Sequence, residues 1–135
     1  MIFVDSDAYI AVNAKDDPHH RKALFLSKEL RRNKIATVTS WMVVDEVATK
    51  LSYFTTKGKS LDFLDNLLRS QTKIVYVGRK LTGSIVERFQ LQTSKCVSLT
   101  DCTNMVIAKE LGIDTFFSFD RHYKKNGFKL LEDVI

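Results

Sequence analysis

Four carboxylates stand where a folded chain could use them for chemistry. Two of the most hydrophobic β-prone runs, IFV and TFFSF, end on aspartates, Asp5 and Asp120. In a parallel sheet, ligands bind just beyond the carboxyl ends of the strands, so both aspartates would stand at the reactive edge. A strand that ends on Asp is also a common turn device. It is the pair, in so short a chain, that points to function. Asp101 shares a helical stripe with Met105 and Ala108, and Asn104 lies beside it. Its place in a first helical turn would by itself suit the helix macrodipole. An aspartate aligned with an apolar stripe points inward, however, where an unpaired charge is costly, and no cation lies three or four residues away. Glu46 and its neighbour Asp45 belong to a helix with an inner stripe of Val44, Val47, Ala48 and Leu51. At about 100° per residue, Glu46 falls roughly opposite that stripe and Asp45 nearer its edge, so periodicity leaves both open. Oxygen ligands without His or Cys suit Mg²⁺ or Mn²⁺.

The elements that must position these groups alternate between short β-prone runs and longer helical segments. Residues 2–5 read as a first strand. Asp16-Asp17-Pro18 reads as a helix start, with an acidic cap and Pro in the first turn. Ala23, Leu24, Leu26 and Leu30 form the expected buried face of that helix. Residues 35–38 make a second strand, with Thr39 or Ser40 capping the helix that carries Glu46. After a Lys57-Gly58-Lys59 connection, Ser60 opens an amphipathic helix through Leu61, Leu64, Leu67 and Leu68. Residues 73–77 form a third strand, and 79–93 look helical. Thr100 caps a helix that ends at Gly112, a residue suited to the left-handed turn after a helix. Strands over 115–119 and near 129–131 close the pattern. The expected fold is a three-layer α/β/α sandwich around a mostly parallel sheet, one domain over residues 1–135, with right-handed crossovers.

Composition narrows the classes. The chain has 135 residues, 44% hydrophobic and 27% charged, which is enough for a core without covalent or metal staples. No apolar run reaches the length needed to cross a bilayer, and Asp5 interrupts the first apolar stretch, which does not read as a signal peptide. Cys96 and Cys102 are too few for a disulfide framework and read as two buried thiols of a cytoplasmic protein. The net charge is +5. If four of the sixteen acidic residues are sequestered with a cation, the remaining surface is strongly basic and suits a polyanion such as RNA.

The four blocks DSDAYIA, TVTSWMVVDEVATKL, SLTDCTNMVIAKELGID and FFSFDRHY occur in order. Together they resemble the PIN-domain family, above all the VapC-type ribonuclease toxins of toxin–antitoxin modules. The resemblance runs from Ile2 to about Gly127. It implies that Asp5, Glu46, Asp101 and Asp120 are the acidic active-site residues, with Asp5 and Asp101 as core ligands of Mg²⁺ or Mn²⁺. Glu46 and Asp120 would support them. Ser6 and Ser118 fall on positions where relatives carry small polar residues, and Asn104 would reach the metal through water. Asp7 departs from the family's usual small residue, as an added carboxylate or an exposed one. The stretch DPHHRKA resembles a family motif that gives His20 a structural role.

The implied activity is hydrolysis of phosphodiester bonds in RNA, leaving a 5′-phosphate and a 3′-hydroxyl. The implied partners are an antitoxin protein and a second copy of the chain, and the helix carrying Phe63, Leu64, Leu67 and Leu68 offers apolar surface for them. Two other readings compete within the fold: an RNA-processing nuclease outside a toxin module, and a non-catalytic binding module. A third is a phosphatase of haloacid-dehalogenase type, because VDSDAY imitates its opening motif with Asp5 as nucleophile.

Overall fold

The computed structural model describes all residues 1–135. Five strands form one sheet: β1 (Ile2–Val4), β2 (Thr37–Ser40), β3 (Lys73–Val75), β4 (Thr115–Phe117) and β5 (Lys129–Leu130). Their order is β3-β2-β1-β4-β5 and every pairing is parallel, so the sheet is wholly rather than mostly parallel. The first strand of the chain is thus central, and the winding reverses between β1 and β4. At such a switch point the loops leave in opposite directions and open a crevice at the strands' carboxyl ends.

Side-chain alternation along β1 feeds two cores. Phe3, with Val38 and Phe116, belongs to a cluster of twenty buried residues that includes Val43, Val47, Leu51, Phe63 and Met105. Ile2 and Val4, with Phe117, pack instead with Ala8, Ala11, Ala23, Leu26 and Leu30. Helices therefore cover both faces, the expected three layers. No helix is long and apolar enough to cross a membrane.

The helices are α1 (Ser6–Asn13), α2 (His20–Arg32), α3 (Trp41–Phe54), α4 (Lys57–Arg69), α5 (Thr82–Gln90), α6 (Leu99–Glu110), α7 (His122–Lys125) and α8 (Leu131–Val134). Several starts differ from the sequence reading. Helix α1 was not anticipated; it follows β1 at once, with Asp5 as its cap. Residues 16–18 do not open α2, because Asp17 Oδ1 accepts from the His19 amide at 2.8 Å and closes a local turn first. Helix α4 begins at Lys57, capped by Thr56 Oγ1 accepting from the Lys59 amide at 3.0 Å, so residues 57–59 are its first turn. Ser60 lies inside it and donates to the Ala48 carbonyl at 2.6 Å, which locks α4 onto α3. The buried face of α4 is Ser60, Phe63 and Leu67, while Leu61 and Leu68 face solvent. Phe63 and Leu67 are thus core residues, not surface held for a partner.

Ser98, rather than Thr100, caps α6, in a reciprocal box with Asp101. The far end of α6 follows expectation. Gly112, at φ +68°, lets the Ile113 and Gly112 amides return to the Ala108 and Lys109 carbonyls. Of the two cysteines only Cys102 is buried; Cys96 is exposed, in the connection before α6.

Candidate active site

The crevice at the switch point collects the carboxylates. Asp5 ends β1 in an extended conformation (φ −94°, ψ 171°), and its Oδ1 accepts from the Ser6 amide at 2.7 Å. Ser6 thus contributes backbone to the site. The same Oδ1 accepts from Asn104 Nδ2 at 3.2 Å, and Oδ2 accepts from the Tyr123 hydroxyl at 2.6 Å. Ser40, at the end of β2, donates to Asn104 Oδ1 at 3.1 Å and so fixes the amide's orientation. Asp5 is 5% exposed. Its pKa is pushed up to about 8, first by burial and then by the charge of Asp7, with Asp101 adding to the rise. The Tyr123 and Ser6 hydrogen bonds oppose that rise without cancelling it.

Asp7 is not the exposed residue that sequence allowed. Its Oδ2 accepts from Ser118 Oγ at 3.0 Å and from the Phe119 amide at 2.8 Å, tying α1 to the end of β4. Its Oδ1 is buried without a partner. Burial raises its pKa, the donors from Phe119, Ser118 and Ala8 oppose this, and the charge of Asp120 adds to the rise. Asp120 follows β4, donates its amide to Ser118 Oγ at 3.1 Å, and accepts from the His122 amide at 2.9 Å. The His122 ring lies 3.5 Å from the same oxygen.

Asp101 lies at the start of α6, where its Oδ2 accepts from the Ser98 amide at 3.0 Å and Ser98 Oγ accepts from its own amide. Burial raises its pKa, the Ser98 donors lower it, and the charge of Asp120 adds to the rise. Glu46 is half-buried and 3.6 Å from Lys50 Nζ. It lines a shallow cleft of about 360 Å³ with Met42, Asp45, Thr49 and Thr100. Helix α3 therefore faces the first turn of α6 across this cleft. Asp45 is exposed, the reverse of what its angle suggested. Val43 is also buried, and it swings the inner arc of α3 toward Glu46, which follows it by three residues.

Asp5, Asp7, Asp101 and Asp120 thus share one electrostatic neighbourhood, with Asn104 and Ser118 inside it, whereas Glu46 lies apart in the α3–α6 cleft, whose lining reaches them only through Thr100, the neighbour of Asp101. Tyr123 was not found from sequence, although it stands three residues after Asp120 at the end of the FFSFDRHY block. Its ring is buried and stacked on Phe116 at 4.0 Å, and an aromatic run of this kind reads as core until its hydroxyl is placed. His20 takes a structural position, with Nδ1 2.6 Å from the Ala11 carbonyl.

No three Asp, Glu, His or Cys side chains converge into a ready-made metal cage. The donor chemistry nevertheless fits a hard divalent cation. All donors are oxygens, one buried Asp7 oxygen has no partner, and neither Lys nor Arg makes an ion pair with Asp5, Asp7, Asp101 or Asp120. A second and larger cavity, about 850 Å³, lies elsewhere, between the α1–α2 pair and α4, and no acidic residue lines it.

The family model that describes the PIN domain matches residues 2–129. No curated protein sequence matches the chain at a significant level. Among solved structures, VapC20 of Mycobacterium tuberculosis, described as a sarcin-ricin loop cleaving toxin, superposes with a TM-score of 0.83 at 22% identity, covering 95% of this chain and 96% of that one. VapBC2 of Rickettsia felis, solved bound to a DNA fragment from its promoter, superposes with a TM-score of 0.66 at 18% identity, covering 96% and 97%. With residues 2–129 matched and the same fold in both structures, this chain belongs to the PIN domain family.

Proposed function

We propose that this chain is a metal-dependent endoribonuclease and the toxin of a toxin–antitoxin pair. The observation that carries the reading is the carboxylate cluster at the β1/β4 switch point, which no Lys or Arg neutralises. Asp5 and Asp101 would hold Mg²⁺ or Mn²⁺, supported by Asp120 and, across the cleft, Glu46. Such an ion supplies Lewis acidity, making water a better nucleophile at neutral pH and offsetting charge on the phosphate. Tyr123 and Asn104 hold the Asp5 carboxylate in one orientation from two sides. The His122 amide and Ser118 do the same for the turn that carries Asp120. Exposed Lys and Arg, in excess across the chain, would hold the RNA backbone.

The toxin assignment rests on the two neighbours, one of them described as a sarcin-ricin loop cleaving toxin and the other solved as VapBC2 on promoter DNA. The larger cavity supports it. Lined at its open side by the half-buried Val12 and Ile35 with the exposed Arg31 and Lys34, it suits an apolar helical segment of an antitoxin. Membership of the PIN family displaces the phosphatase reading of the Asp5 motif.

The test is RNA cleavage by chromatographically clean protein. Activity on an RNA with unpaired loops should vanish in EDTA and return with Mg²⁺ or Mn²⁺. Undiminished cleavage in chelator would overturn the metal assignment.

A further inference from the structure

Two exposed aromatic rings stand on the same edge of the sheet as the carboxylates. Trp41 follows Ser40, the last residue of β2, and Tyr76 follows Val75, the last of β3. Ser40 and Val75 are register partners, so the two aromatic residues leave the sheet side by side. Their rings stack with centroids 5.8 Å apart and planes inclined by 23°. Stacking does not bury them: Trp41 is 44% exposed and Tyr76 67%. The platform is also joined to the site. Ser40 donates to Asn104, which donates to Asp5, so Trp41 adjoins the hydrogen-bond chain that orients the central carboxylate. Across the sheet, Tyr76 is two strands from Asp5, about 10 Å at ordinary strand spacing. Arg79 and Lys80 follow Tyr76 in a short 3₁₀ turn, both exposed and neither engaged by a carboxylate. A second stack, His19 on Phe119 with centroids 4.3 Å apart, stands beside Asp120 at the other side of the crevice.

We propose that the Trp41–Tyr76 pair is a stacking platform for an unpaired nucleobase of the RNA substrate, placing that nucleotide beside the carboxylate crevice. The inference rests on the ribonuclease reading and specifies what part of the RNA the site accepts. Unpaired bases expose both faces and stack on aromatic rings, whereas bases inside a duplex are covered by their neighbours. Free cationic side chains beside exposed rings match a nucleotide, which is an aromatic plane carrying an anion. A platform of this kind selects looped or single-stranded RNA without reading its sequence by hydrogen bonds.

Trp41 is the only tryptophan in the chain, so its fluorescence reports this surface directly. Full-length protein in EDTA, where cleavage is suppressed, is titrated with an unstructured ten-nucleotide RNA and with a duplex of the same length. The single strand should quench Trp41 saturably and the duplex should not. Tyr76→Ala and Trp41→Ala should each weaken single-strand binding about tenfold, the second followed by anisotropy of labelled RNA, and Trp41→Phe should restore most of it. In Mg²⁺ the alanine variants should raise KM more than they lower kcat.

Unchanged affinity and KM in both alanine variants, with cleavage intact, would overturn the platform and leave the nuclease reading standing. Quenching by RNA in a wild-type protein that never cleaves would overturn the nuclease reading and leave the platform. Quenching that follows protein concentration alone, with a halved molecular mass in Trp41→Ala, would overturn the platform in favour of contact with a second copy.

Discussion

Asp5 is held by three donors and still prefers its proton, because burial and the neighbouring charge of Asp7 outweigh them. Its folded pKa, about 8, lies above the ordinary value of 3.8. A raised folded pKa favours the folded state most at low pH and loses that advantage as pH rises through the folded value. Metal-free protein should therefore lose stability between about pH 4 and pH 8. Asp5 alone contributes at most about 1.4 kcal/mol per pH unit to that slope, and the raised carboxyls of Asp7 and Asp101 add to it. Asp5→Asn should make that slope shallower, as measured by thermal melts in EDTA across the range. An equally steep slope in the variant would show that the titrating group is elsewhere. Cation binding must release the same proton, so the affinity for Mg²⁺ should climb over the same interval.

Helix α6 assigns Asp101 two duties that a substitution can separate. Its carboxylate closes the capping box with Ser98 and also faces the charge of Asp120. Asp101→Asn keeps an oxygen for the Ser98 amide and removes the charge. Metal-free stability should rise by less than about 1 kcal/mol, since the half-exposed carboxylate is partly screened by water. Cleavage and the stabilisation by Mg²⁺ should both fall. Asp101→Ala loses the cap as well and should be destabilised by about 1 kcal/mol. Differential scanning fluorimetry with and without Mg²⁺ measures both, and equal losses for the two variants would reduce Asp101 to a helix-start residue.

The same helix shows what the sequence could reveal. Asp101, Met105 and Ala108 share a stripe and Gly112 marks the end, so its direction and inner face were legible from spacing. The cap was not, because Ser98 and Thr100 are equally good candidates until tertiary packing fixes the first turn. The parallel sheet followed from alternation. Helix α1 escaped because Asp5, the residue that caps it, was read for its chemistry, and Tyr9, Ile10 and Val12 beyond it continue the apolar character of β1. Tyr123 was hidden for a related reason, since its ring belongs to the core and only its hydroxyl belongs to the site.

At the scale of the whole molecule, the α3–α4 hairpin leaves a good deal of apolar surface in water. Tyr53 and Phe54 are 78% and 81% exposed, and Leu61 and Leu68 on α4 are exposed as well. This is the apolar surface that a second copy would cover, and it replaces the buried Phe63 and Leu67 in that role. Light scattering should report a dimer, and Phe54→Glu should shift the mass toward the monomer with little change in melting temperature. A monomeric wild type at high concentration would count against it.

The central place of β1 bears on when this protein can act. Asp5 meets Asn104 across 99 residues of chain and Tyr123 across 118. The N-terminal strand emerges first during synthesis, yet its neighbour β4 and the hydroxyl that steadies its aspartate come near the end. Contacts so distant in sequence form late in folding, because the loop entropy must be overcome before they contribute. A nascent or prematurely terminated chain that stops short of residue 120 lacks one carboxylate, the Tyr123 hydroxyl and the edge strand β5. It cannot assemble the crevice, so whatever chemistry the crevice performs begins only when the chain is finished.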